Sequence, residues 1–303
     1  MNYQNSPPRY VILNDRGLLA IEGAEARTFL QGVISNDIEK ATAQQAIYAA
    51  LLTAQGKYLH DFFIAELNGV LLVDCEDARR DDLFRRLSMY KLRAQATISD
   101  QSGEYVAVAL FGDGIEEICE LSEQPGMAKP FHHGVAYVDP RHSGMGIRAI
   151  LPREDAEQIM QGLNITEGSK EDYDNLRLQL GLPDGSRDMI IEKSILLENG
   201  FDELHGVDWN KGCYIGQELT ARTKHRGLIK KRLVPVVIQG PPPAPGTTIQ
   251  WDGKEVGEMR SSIDGFGLAL IRLEYLDKTT EADTTFSAGD ASVTPQKPDW
   301  VDF

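Results

Sequence analysis

The sequence predicts an α+β fold in two related modules, followed by a small C-terminal β-barrel, and three features carry that expectation. At 303 residues the chain exceeds the usual size of a single hydrophobic core. Between residues 10 and 163, strand-like runs and short amphipathic helices alternate in a pattern that loosely recurs. Beyond Arg232 the helical spacing stops, and short apolar runs follow one another between tight turns. The corresponding boundaries are 1–100 for the first module, 101–230 for the second and 231–303 for the barrel.

Each element has a local reason. Residues 10–13 and 18–21 read as strands, and Ala26, Phe29 and Leu30 then share one face of a short helix. Apolar runs at 47–53, 58–67 and 70–74 make an antiparallel meander. Its turns fall at Gln55-Gly56 and at Asn68-Gly69, the second a strong hairpin dipeptide. Over 77–91 the residues Leu83, Leu87 and Tyr90 recur at helical spacing, and 94–98 returns as a strand. The second module repeats the theme with strands at 105–110, 135–139 and 147–151 and helices at 115–121 and 154–163. Ser143-Gly144-Met145-Gly146 lacks the strand-then-helix setting of a phosphate loop and is a hairpin turn. A helix over 171–180 stops at Gly181-Leu182-Pro183, and 184–208 is charged and irregular. Barrel strands are expected at 233–238, 247–251, 255–260 and 266–273, with the last ten residues either packing through Trp300 or hanging free.

Composition narrows the class. No apolar run approaches the roughly 18 to 20 residues of a membrane-spanning helix, so no membrane partner is expected. Residues 1–10 are polar and lack the charged-then-apolar pattern of a secretory signal. Cys75, Cys119 and Cys213 are odd in number and widely spaced, which argues against a disulfide framework and makes a reducing cytoplasm the expected location.

The chemistry concentrates in Lys211-Gly212-Cys213-Tyr214-Ile215-Gly216-Gln217-Glu218. From 211 to 232 there are seven Lys/Arg against the single acid Glu218, in a chain of formal net charge −15. A basic island on an acidic protein is most simply an anion site. Nucleic acid would need a broader basic surface with stacking aromatics, and is not expected. Cys213 has two readings: a thiol activated by adjacent cations and accessible between glycines, or a buried structural cysteine beside a glycine turn. No metal-ligand spacing surrounds it, so no metal site is expected. Arg222 and Arg226, four apart, would share a helix face suited to a ligand with one or two carboxylates.

The same eight residues, with Arg222 and Arg226-Gly227, resemble the signature of the YgfZ-type folate-binding proteins. These act in iron–sulfur cluster assembly or repair and are related to the aminomethyltransferase (T-protein) of the glycine cleavage system. The resemblance extends to Phe29-Leu30-Gln31-Gly32 with Asn36-Asp37, to Gly56-Lys57-Tyr58-Leu59-His60-Asp61, and to Leu176-Arg177 through Gly181-Leu182-Pro183. It implies two related α+β modules forming a ring with the barrel, and tetrahydrofolate, or a one-carbon derivative, as cofactor. It also implies iron–sulfur client enzymes or assembly factors as partners. The site residues it implies are Asp61, Lys211, Tyr214, Gln217, Arg222 and Arg226 for the folate, with Cys213 as the candidate reactive residue. The chain departs from the transferases at two points. His60-Asp61 stands where they carry an aspartate pair, and Gln179 stands where a glutamate holds the pterin and cannot supply its full negative charge. A folate-dependent aminomethyltransferase or demethylase is therefore the alternative.

Overall fold

A computed structural model describes residues 6–227, 229–276 and 285–301. Residues 1–5 of the polar N-terminal stretch, 277–284 within the expected barrel and the last two residues lie outside that description. The chain divides into two compact units, one of residues 1–52, 59–173 and 204–215, the other of 53–58, 174–203 and 216–303.

The first unit contains two sheets. Its strands are β1 (Arg9–Ile12), β2 (Arg16–Glu22), β3 (Ile47–Leu52), β4 (Tyr58–Leu67), β5 (Val70–Glu76), β6 (Thr97–Asp100), β7 (Tyr105–Phe111), β8 (Ala128–Phe131), β9 (Gly134–Val138), β10 (Ile147–Pro152) and β11 (Thr166–Glu167). One sheet has the order β3-β4-β5-β2-β6, the other β11-β1-β7-β10-β9-β8. The N-terminal strand β1 thus joins the sheet built mainly by later residues, pairing Arg9 with Phe111 and Ile12 with Val108.

Helices α1 (Ala26–Gln31) and α2 (Arg80–Lys91) seal the five-stranded sheet. Ala26, Phe29, Leu30, Leu83 and Leu87 share a core with Leu19, Ile21, Phe62, Ile64 and Val73. In the other core, α3 (Ile115–Ile118) and α4 (Ala156–Gly162) place Ile115, Ala156 and Met160 against Val106, Val108, Val138 and Ile147. The helical periodicity and the strand alternation are the two halves of one pattern, because each element must bury its apolar side.

Asn68-Gly69 closes the β4–β5 hairpin with Leu67 opposite Val70, and both turn residues have positive φ, as a type I′ turn demands. The strand expected at 94–98 begins only at Thr97. Leaving α2, the chain first turns through Leu92 at φ +49 and through Ala94, whose N–H donates to Lys91 O, before it can pair with β2.

The second unit holds α6 (Gly185–Asp188), α7 (Gln217–Arg226) and most of α5 (Lys170–Leu180), which begins in the first unit. Its strands β12 (Lys231–Gln239), β13 (Thr248–Trp251), β14 (Lys254–Ile263), β15 (Phe266–Arg272), β16 (Phe286–Ala288) and β17 (Ala291–Pro295) close into a barrel of order β12-β15-β14-β13-β16-β17. Closure removes the exposed edges a small sheet would otherwise carry. Val234, Val236, Ile249, Met259, Ile271, Phe286 and Val293 fill its interior. Trp300 Nε1 donates to Leu180 O at 2.7 Å, so the C-terminal segment packs rather than hangs.

Candidate functional site

The thiol segment begins inside the first unit. Ser35 Oγ donates to Gly206 O at 2.6 Å, Asn36 Nδ2 to His205 O at 2.7 Å, and the Asp208 and Ile215 amides to Ser35 O and Gly32 O. These bonds staple residues 205–215 to the turn that follows α1. Asp208 accepts from the Asn210 and Lys211 amides and pairs with Lys40. Lys211 Nζ donates to Ile34 O at 2.6 Å and Asn36 O at 2.7 Å and lies 5.1 Å from the centre of the Tyr214 ring. Burial pushes its ammonium down to about 8, against the opposing pull of Asp37 and Asp208. Lys211 therefore works as an anchor of the loop, and Tyr214 is buried beside it. Cys213 is exposed, and a Cβ placed on Gly212 would meet nothing within 4 Å. Of the two readings of this cysteine, the buried structural one is excluded.

Asp61 lies in the same unit, on β4. Its Oδ2 accepts from the Tyr48 hydroxyl at 2.7 Å, and both residues are buried. Burial, followed by the Asp61 charge, holds the Tyr48 phenol well above its ordinary pKa, so it stays a donor. Asn36 connects this pair to the thiol segment. Its Nδ2 donates to Tyr48 O and to His205 O, while its own carbonyl receives Lys211. Asp61, Lys211 and Tyr214 thus belong to one connected set of polar contacts.

His60 faces elsewhere. Its Nε2 meets Asp82 Oδ2 at 2.9 Å, with the Arg79 guanidinium 3.4 Å from the same nitrogen. Burial and then Arg79 push its pKa down to about 4, so the ring is a neutral N–H donor to Asp82 and no substitute for a carboxylate.

Several charged residues of this interior escaped sequence reasoning. Asp74 takes Arg16 at 2.6 Å and Arg148 at 2.5 Å. Asp139 holds Arg141 through both carboxylate oxygens. The Arg141 and Arg148 guanidinium carbons lie 4.8 and 4.2 Å from the Phe63 ring centre, and Arg141 is 5.5 Å from that of Tyr48. The available signal was a charge inside an apolar run, Asp74 in β5 and Arg148 in β10.

The remaining candidates belong to the second unit. Gly216, at φ +82, starts α7, where Gln217 is the first residue. Arg222 and Arg226 are exposed one turn apart and have no ion-pair partner among the described residues. Lys224 pairs with Asp202, and Arg232 with Glu203 and Leu197 O. The basic stretch is accordingly divided between the structural cations Lys211, Lys224 and Arg232, the two exposed arginines of α7, and Lys230 and Lys231 at the entry to the barrel.

Residues 230–303 match the family described as CAF17, C-terminal beta-barrel domain. The fold is similar to the crystal structure of glycine cleavage system aminomethyltransferase T from Bartonella henselae, with a TM-score of 0.79 at 16% identity, over 99% of this chain and 88% of that one. By sequence, the chain is 32% identical over 309 residues to the mitochondrial iron–sulfur cluster assembly factor IBA57 of Mus musculus, covering 95% of this chain and 84% of the relative. The Homo sapiens protein is 31% identical with the same coverage. The Neosartorya fischeri homologue is 31% identical over 90% of this chain and 72% of its own. These relatives are named as mitochondrial, which overturns the expected cytoplasmic location. That expectation rested on the missing secretory pattern and the unpaired cysteines. Neither separates the cytosol from the mitochondrial interior, whose import signals are amphipathic and Arg-rich rather than apolar. With this identity along nearly its whole length, the chain belongs to the IBA57 iron–sulfur cluster assembly factor family.

Proposed function

We propose that this protein is a tetrahydrofolate-binding accessory factor of the YgfZ type for maturation or repair of iron–sulfur cluster enzymes, with Cys213 as its reactive thiol. One observation carries the reading: identity of 31–32% over 95% of the chain to relatives named as iron–sulfur cluster assembly factors. The side chains fit folate in kind. Asp61 is a buried acceptor held by a phenol that stays protonated, suited to N–H groups of a pterin. Arg222 and Arg226 are exposed cations suited to glutamyl carboxylates. Cys213 is a single thiol, so any cluster species it handles as cargo needs further ligands from elsewhere.

A titration of folate forms against wild type and Cys213→Ala tests the cofactor, and restoration by Cys213→Ser in cells tests the thiol. Tetrahydrofolate should bind both proteins, while Cys213→Ser should fail to restore iron–sulfur enzyme activity in cells lacking the wild-type chain. Absence of folate binding removes the cofactor, and full restoration by Cys213→Ser removes the thiol role. Arg222→Ala or Arg226→Ala should weaken a polyglutamylated folate more than the monoglutamate, and equal losses would count against a tail site.

The aminomethyltransferase reading has the fold similarity in its favour. Against it stand the neutral His60, committed to Asp82, and the uncharged Gln179. Formation of methylene-tetrahydrofolate from an aminomethyl donor would establish it.

A further inference from the structure

Among the described residues, three of the exposed large apolar side chains lie on α2 or at its end: Phe84, Met89 and Leu92. Leu92 is 83% exposed and Met89 58%. Leu92 also has φ +49 and ψ −109, a conformation that favours glycine. Neither burial nor backbone preference accounts for a leucine there, and a strained position with its side chain in solvent points to a role outside the folded core.

The charge around it is equally distinctive. From Leu83 to Ser99 there are four cations, Arg85, Arg86, Lys91 and Arg93, and no acid, in a chain of net charge −15. Arg85 and Arg86 pair with Asp82. Lys91 and Arg93, on either side of Leu92, have no ion pair among the described residues. Beyond α2 the fold brings the acid Glu25 to this segment, where its carboxylate accepts from the Gln95 amide, so within a Debye length of about 8 Å of Leu92 a partner meets chiefly the two unpaired cations on either side of it.

We propose that the end of α2 is a docking face for a partner protein that presents acidic side chains around an apolar pocket, with Leu92 as the anchor. An apolar side chain ringed by complementary charge is how protein interfaces concentrate affinity and steer encounter. A membrane surface fits less well. Leu83 and Leu87 are committed to the core, so α2 cannot lay a continuous apolar face on a bilayer. The exposed apolar side chains are also interleaved with Arg85, Lys91 and Arg93, and the net charge of −15 opposes approach to anionic lipid. The proposal uses neither the folate nor the thiol.

A photo-crosslinking phenylalanine analogue at position 92 of the full chain, activated in cells, tests the contact. The expected product is an adduct with an acidic protein that disappears when Lys91→Glu and Arg93→Glu are added. No protein adduct, an adduct indifferent to the charge reversal, or adducts with lipid alone would each overturn the proposal. Leu92→Gly supplies the second measurement. Glycine suits φ +49, so this variant should melt at or above the wild-type temperature while restoring iron–sulfur enzyme activity at least threefold less well in cells lacking the wild-type chain. A leucine needed only for folding would lower the melting temperature instead, and full restoration by Leu92→Gly would also overturn the docking role. If those cells show no iron–sulfur defect, the iron–sulfur reading fails, and the crosslinking result still decides the docking face.

Discussion

His60 shows how strongly one side chain's surroundings decide its chemistry. An imidazole next to Asp61 suggests a titrating group, yet burial and Arg79 hold its pKa at about 4 against an ordinary 6.5. Because the folded value lies below the unfolded one, the unfolded chain takes up the proton first as the pH falls. The stability associated with the neutral ring is complete above about 6.5 and declines through the interval down to about 4. Between pH 7 and pH 5 this site alone should cost about 2 kcal/mol. Denaturant melts at the two pH values should show that loss in wild type and a smaller one in His60→Gln. Equal losses in both proteins would mean that the ring is solvated and titrates normally. Sequence could name His60 as a departure from the transferases, but its pairing with Asp82 depends on a helix 22 positions away.

At the level of elements, most of the order was legible, because periodicity and turn chemistry act locally. The β4–β5 hairpin, the α1 face and the barrel strands β12 to β15 all lie where Asn68-Gly69, helical spacing and the short apolar runs between tight turns place them. β8 was not legible. It is four residues long, contains Pro130 and forms the end of its sheet, where pairing from β9 decides the conformation and propensity does not. The Gln55-Gly56 turn was legible as a turn, but not for what rests on it. Gly56 has φ +80, and a Cβ there would lie 2.6 Å from both Gly216 O and Leu219 Cβ at the start of α7. Gly56→Ala should therefore cost about 2 to 4 kcal/mol, combining left-handed strain with overpacking. A chemical denaturation curve measures this directly. A loss below about 1 kcal/mol would show that the start of α7 shifts freely to make room.

For the molecule as a whole, net charge was a poor guide to where charge acts. The sequence showed a basic island in an acidic chain, whereas in the fold Lys224 and Arg232 are structural, and other buried cations lie outside the island, at Arg141, Arg148 and Arg177. No local pattern could reveal that Asp74 joins Arg16 and Arg148, 58 and 74 positions away, across the two sheets of the first unit. Burial alone would raise the Asp74 pKa, but Arg148 and Arg16 hold it below the usual carboxylate range. Asp74→Ala leaves two guanidinium groups enclosed without their counter-charge and should cost about 3 to 5 kcal/mol. Because that cost comes from the stranded arginines, replacing one of them should return part of it. Asp74→Ala with Arg148→Met is therefore expected to be more stable than Asp74→Ala alone, a non-additivity that a double-mutant cycle resolves. Simple addition of the two single losses would mean that Arg148 is held by its stacking on Phe63 and not by the carboxylate.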